Sequence, residues 1–256
     1  METAFDDYWK RMQFREEFRH INTIPVKRWY VSDGLNEIDQ VYFNEMKELK
    51  CLLEIGSGTN SLQKKFRDNG YGGLYHTMDL SREFIHDYYD LNAIDSLYDG
   101  ILILEVIEHM SLEHFWSLLD FIDSHIAPQG KLIISTSHPG SIVPWQSWDM
   151  THIQHYPLHD LYALFRSRGF SAKCYRVWCQ KAQRTITQRV RLWLRRKLCY
   201  ILGLDYADSI ALILQKQGDA EEPAKRSRPT KNSRSDCATE TPQLSALTAE
   251  RNYPTV

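Results

Sequence analysis

Apolar positions in the middle of the chain fall into two rhythms. Short continuous runs at 51–55, 72–78, 101–104, 131–137, 170–178 and 204–215 are bounded by Gly, Asp, Asn or Pro and read as strands buried on both faces. Between them, apolar residues recur at helical spacing: over 61–66, over 112–126 with Phe115, Leu118, Leu119 and Ile122 on one side, and over 158–169, closed by Gly169. Strands that alternate with helices predict an α/β sheet, mostly parallel. The segment 84–92 reads as a further strand, the third of seven. It follows the second so closely that its crossover helix is reduced to a turn, since a parallel connection needs about a dozen residues.

Both flanks behave differently. Residues 1–49 place Phe14 and Phe18, then Ile38, Val41 and Tyr42, at helical spacing around breaks at Pro25 and Asp33–Gly34, which predicts a helical N-terminal lid. Between the last two strands lies an insertion, 184–202. Its apolar residues Ile186, Val190, Trp193, Leu194, Leu198 and Ile201 keep helical spacing, while Arg189, Arg191, Arg195, Arg196 and Lys197 surround them with no acid. Such a helix either lies in an anionic membrane surface, or packs its stripe on the domain and solvates its arginines. RNA phosphate is a third reading. Beyond Gln217, Pro, Ser, Thr and basic residues replace large apolars, so 218–256 is expected to be a disordered tail.

At 256 residues, 43% hydrophobic and 12% aromatic, the chain can bury one α/β core, placed at 50–217. A formal charge of -2 gives no global attraction to nucleic acid. Cysteines at 51, 174, 179, 199 and 237 form no Cys-x-x-Cys pair, which predicts reduced thiols and a cytoplasmic setting. The acidic, aromatic start does not read as a signal peptide, and no apolar run reaches membrane-spanning length.

The first strand ends in Glu54-Ile55-Gly56-Ser57-Gly58-Thr59-Asn60. Glycines 56 and 58 allow a sharp turn and close approach of a ligand to the backbone. Glu54, at the strand mouth, can hold an ammonium group. A dinucleotide fingerprint would place a third glycine where Ser61 stands. The Glu-x-Gly-x-Gly pattern instead resembles the first motif of class I methyltransferases that bind S-adenosyl-L-methionine. Asn60 stands where that family usually has glycine, and asparagine tolerates positive φ. The resemblance implies a Rossmann-like fold: a seven-stranded, mostly parallel sheet with helices on both faces and the last strand antiparallel. It implies S-adenosylmethionine as cofactor, with Asp79 and Leu80 at the ribose, Asp90 and Leu91 at the adenine, Leu104 and Glu105 at the bordering strand, and Lys27 or Arg28 of the lid near the carboxylate.

Directly after the fourth run comes Glu105-Val106-Ile107-Glu108-His109. This resembles a signature of ubiquinone-type O-methyltransferases and of small-RNA 2′-O-methyltransferases. The resemblance implies that Glu108 and His109 face the methyl acceptor. In the RNA enzymes Glu105, Glu108 and His109 would join a distant histidine, here His138, His152 or His155, around a divalent metal. In most of the wider family the Glu-His pair shapes the pocket without metal, and that reading is adopted. The segment 138–159 crowds His138, Trp145, Trp148, His152 and Tyr156 into one loop, suited to a sugar, a phenol or an isoprenoid-bearing ring. Its Asp149-Met150-Thr151-His152 resembles an element of bacterial family members and makes His152, beside His109, a candidate general base.

The expected activity is therefore methyl transfer to an oxygen of a small or lipid-linked acceptor, such as a saccharide or a quinone precursor. The alternatives are a metal-assisted RNA 2′-O-methyltransferase and a catalytically silent, cofactor-binding scaffold.

Overall fold

The computed structural model describes residues 8–26, 34–139, 149–179, 185–202 and 207–218. Lys27 and Arg28, the loop tryptophans 145 and 148, and the tail from 219 onward lie outside the described residues. So do the side chains of Arg195 and Arg196. The chain divides after Asp219, and every described strand and helix lies in the first of its two units.

Strand β2 (Cys51–Ile55) is paired in parallel with β3 (Leu74–Met78), an edge strand, on one side and β4 (Tyr98–Leu104) on the other. β4 pairs in parallel with β5 (Ile126–Ser137), and β7 (Ser209–Lys216) inserts antiparallel between β5 and β6 (Phe170–Cys179). A strand with neighbours on both edges and helices on both faces must be apolar throughout. Leu53, Ile101, Ile103 and Ile134 accordingly face α4 (Leu112–His125) and α5 (Leu158–Ser167), while Leu52, Leu102 and Ile133 face α2 (Glu37–Met46) and α3 (Ser61–Asp68). Seven strands, helices on both faces and an antiparallel last strand agree with the sequence reading.

The identity of one strand differs. Segment 84–92 forms no strand; it touches the sheet through a single bridge between Met78 and Tyr88. With no crossover helix, the chain has room for only two backbone bonds there, Tyr88 N to Thr77 O and Asp79 N to Tyr88 O. The seventh strand is instead β1 (Ile21–Val26), within the N-terminal region read as a helical lid. It extends the opposite edge, parallel to β6. Its Pro25, which cannot donate to a ladder, is tolerated because an edge strand has one open side. The helix before it, α1 (Tyr8–Glu17), packs on α5, where Arg15 meets Asp160 at 3.4 Å and Phe18 meets the Tyr162 ring at 5.2 Å.

Helix α2 is fixed at its start by a capping box. The Asn36 side chain accepts from Ile38 N and Asp39 N, and Asp39 Oδ2 accepts from Asn36 N. The same Asp39 oxygen receives Lys65 Nζ of α3 at 2.9 Å, and both side chains are 11% exposed. Removing one partner of a buried pair strands the other charge. Asp39→Ala should therefore lower unfolding stability by about 3 kcal/mol in urea titration. Adding Lys65→Met should recover much of that loss; a single-variant cost under about 1 kcal/mol would refute the buried-pair reading.

Candidate active site

The carboxyl ends of β2, β3 and β4 lie side by side, because the three strands are parallel and in register. The chain leaves β2 for β3 on one side and later returns to β4 on the other, so the loops diverge there and leave room for a ligand. Gly56 opens the turn with φ +76°, and a Cβ built on it would lie 2.2 Å from Val106 Cγ2. Gly58 has φ +50° and nothing within 4 Å of its Cβ position, an open cradle over the backbone. Asn60 takes the left-handed conformation, φ 58°, and starts α3, as the motif requires.

Hydrogen bonds tie this turn to the end of β3. Gly56 N and Ser57 N donate to Met78 O at 2.8 and 3.2 Å. One Asp79 oxygen accepts from Gly58 N and the other from Ser81 N, both at 2.8 Å. Each carboxylate oxygen keeps a second lone pair, so Asp79 is positioned and can still accept from a diol. The loop beyond folds back on the turn. Asn60 Nδ2 donates to Ile85 O at 2.8 Å, and His86 Nδ1 meets Ser57 Oγ at 3.0 Å. Leu80 remains exposed beside Asp79. Asp90 is exposed and caps the short turn Leu91–Ala93 by accepting from Asn92 N. Leu104 ends the adjacent strand β4, and Glu105 follows it.

Glu54 is not presented at the strand mouth. It is 5% exposed and accepts a 2.8 Å hydrogen bond from Tyr75 Oη. Burial raises its pKa to about 7, the Tyr75 bond opposes that shift, and the charges of Asp39 and Asp79 reinforce it.

Glu105 and Glu108 form the polar centre of the β4 edge. Glu105 has φ 55°, a conformation uncommon for a residue with a Cβ. It is held there by its own N–H to Ser135 O and by Ser135 Oγ and Ser209 Oγ, which donate to Oε1 at 2.8 and 2.6 Å. Glu108 is fully buried and accepts from Thr136 Oγ1 at 2.9 Å and Ser137 N at 3.3 Å. Burial first, and then the charge of Glu108, raise the Glu105 pKa to about 8, against the two serine bonds. The negative charge of Glu108 beside it therefore favours the protonated form of Glu105.

The Glu108 carbonyl accepts from Ile153 N and Gln154 N, which brings the segment 149–154 over the site. There Thr151 Oγ1 lies 2.6 Å from Asp149 Oδ1 and 2.8 Å from His109 Nδ1. A hydroxyl has one proton, and the carboxylate, an acceptor only, takes it. Toward His109 the threonine must therefore accept, as does Thr151 O at 3.3 Å. The neutral His109 ring thus carries its proton on Nδ1, and Nε2 is a bare base. Asp149 is held below the usual carboxylate range by the Thr151 side-chain and backbone bonds. His152 packs edge-on against His109, ring centroids 4.7 Å apart, and its Nε2 is 3.8 Å from Asp149 Oδ2. Among the described residues, Glu108, His109 and His152 offer donor atoms within 4.8 Å of one another. Glu105, His138 and His155 do not join that group.

Several residues that build this site were not singled out from the sequence. Ser135, Thr136 and Ser137 end an otherwise apolar interior strand, and three polar residues there must have buried partners. That signal was legible. Ser209 and Tyr75 carry no such local mark, and Thr151 stood in the Asp-x-Thr-His element without a role of its own.

A family model described as "Methyltransferase domain" matches residues 32–174, more than half of the chain. Among solved structures, an S-adenosylmethionine-dependent methyltransferase from Archaeoglobus fulgidus aligns with TM-score 0.56 at 20% identity, covering 69% of this chain and 90% of that one. The magnesium protoporphyrin IX methyltransferase of Synechocystis aligns with TM-score 0.45 at 13% identity over 85% and 86% of the two chains. The N-methyltransferase NodS of Bradyrhizobium japonicum gives 0.44 at 11% over 69% and 93%. No curated protein matches the chain significantly. The Archaeoglobus alignment supports the Rossmann-like fold.

The raised carboxyl groups make stability depend on pH. Their contribution is complete below the ordinary value of 4.5, and is lost as pH rises through about 7 for Glu54 and about 8 for Glu105. The melting temperature of the unliganded protein should fall by several °C between about pH 5 and about pH 8. Glu105→Gln, a neutral mimic of the protonated acid, should shrink that fall. A melting temperature flat or rising over this interval contradicts the assignment.

Proposed function

The chain belongs to the methyltransferase-domain family, and from that premise we propose that it methylates a hydroxyl oxygen of a small or lipid-linked acceptor, a saccharide or a quinone precursor, with His109 as general base. S-adenosylmethionine supplies an electrophilic methyl group on a sulfonium sulfur. The open cradle at Gly58 and the positioned Asp79 carboxylate suit its nucleoside, and the apolar surface of Leu80 flanks them.

An alcohol is a poor nucleophile until its proton leaves. His109 Nε2 would take that proton as the oxygen attacks, and bound S-adenosylmethionine would supply the methyl group, with its neutral thioether as the leaving group. The imidazolium that forms is stabilised by Asp149 through Thr151. Glu105 and Glu108 position these groups: Glu108 fixes the 153–154 backbone, and Glu105 joins β4 to β5 and β7. The observation that carries this reading is the Asp149–Thr151–His109 chain, because it leaves one ring nitrogen bare on the side away from Thr151. An amine acceptor would need no such base at its own pKa or above.

The cluster of Glu108, His109 and His152 favours a second reading, in which a divalent ion held there activates the hydroxyl of an acceptor such as an RNA 2′-hydroxyl. Mixed carboxylate and imidazole donors suit zinc or iron more than magnesium.

Transfer of labelled methyl groups to a panel of saccharides and quinols separates these readings. His109→Ala should lower turnover by about 10²–10⁴-fold with binding of the demethylated cofactor unchanged by calorimetry, and chelators should leave wild-type activity intact. Full activity in His109→Ala overturns the proposal; loss on chelation with rescue by a metal supports the second reading.

A further inference from the structure

Helix α6 (Ile186–Ile201) presents its apolar stripe to the outside. Ile186, Val190, Trp193, Leu194, Leu198 and Ile201 are each more than half exposed, Ile186 and Ile201 by 79% and 75%. Cys199, by contrast, is buried. At 100° per residue Cys199 lies about 170° around the helix from the middle of that stripe. The buried position of the helix therefore lies opposite its exposed stripe. Of the readings open from sequence, the one that packs the stripe on the domain itself is excluded by these exposures.

Charge identifies what covers the stripe. No acidic residue occurs between Asp160 and Asp205, a span with Arg189, Arg191, Arg195, Arg196 and Lys197 on the helix alone. Arg189 and Arg191 are exposed and, at 100° per residue, flank the stripe. Lys197 falls inside it, where a long stem can lie along apolar surface while the ammonium reaches out. Such a surface suits a layer that is apolar beneath and anionic at its boundary. No helix among the described residues is long and apolar enough to cross a membrane, so the contact would be interfacial.

The topology adds a direction. β6 is antiparallel to β7, and β7 to β5, so Cys179 and Ser209 both lie at the carboxyl edge of the sheet, and α6 is tethered to that edge at both ends. Ser209 is the residue whose hydroxyl donates to Glu105, and Asp208 O accepts from His138 N. We infer that α6 docks the protein on an anionic lipid bilayer with the acceptor edge of the site beside the headgroups. That the acceptor is lipid-linked rests on the proposed function; the docking itself does not.

Vesicle flotation of the full chain tests this. Vesicles of phosphatidylcholine mixed with phosphatidylglycerol should carry wild-type protein up the gradient, on the order of a hundredfold more than phosphatidylcholine alone, and less in high salt. Trp193→Glu and Leu194→Glu should each stay at the bottom while binding the demethylated cofactor as wild type does, which shows that they are folded. The inference is overturned if wild type floats on neither lipid or equally on both, or if both variants float as wild type does. It is also overturned if sedimentation shows a dimer that the variants abolish, without flotation. A soluble acceptor would sink the lipid-linked substrate and leave the flotation result standing.

Discussion

The carboxyl edge of this sheet is organised around two neighbouring carboxyl groups, Glu105 and Glu108. Acids placed this close together at the end of an interior strand are tolerated only where donors surround them. Ser135 and Ser209 hold Glu105, while Thr136 Oγ1 and Ser137 N hold Glu108. Because those donors come from β5 and β7, the pair ties three strands together at the point where the ligand must sit. The Glu108 carbonyl then anchors Ile153 and Gln154, and with them the threonine that sets the His109 ring. Backbone strain at Glu105 and the placement of the candidate base are two ends of one network.

The sheet was legible because its strands are interior. A strand buried on both faces has to be a continuous apolar run, and 51–55, 101–104 and 131–134 leave no alternative. The glycine turn was legible for a similar reason: Gly56 faces Val106 too closely for any Cβ, and Asn60 is one of the few other residues that accepts φ 58°. β1 was not legible. INTIPV is short, carries two polar residues and is interrupted by Pro25, and it becomes a strand only because the open edge of β6 offers it partners. The converse holds at 84–92, which carries strand-like residues but too short a connection to reach full pairing.

The site itself was half written in the sequence. Glu108, His109 and His152 are brought together as the Glu-x-x-Glu-His and Asp-x-Thr-His elements suggested, yet sequence alone could not choose between the two histidines. That choice comes from Thr151, whose single proton can satisfy only one neighbour, and side-chain orientation is not encoded by spacing. Glu54 shows the opposite failure. Its position at the end of a strand suggested an exposed counter-ion, but the alternation of the strand turns it inward to Tyr75. For helix α6 the periodicity gave the stripe and its charges, while only the fold reveals which side faces outward.

The proposed proton transfer depends most on the tautomer of one ring. Nitrogen-15 NMR of histidine-labelled protein, at a pH where His109 is neutral and with His109→Gln for assignment, reads that directly. The expected spectrum has a proton on Nδ1 and a pyridine-like Nε2 shift; a proton on Nε2 would mean that Thr151 donates to the ring and that His109 has no free nitrogen to accept the acceptor's proton.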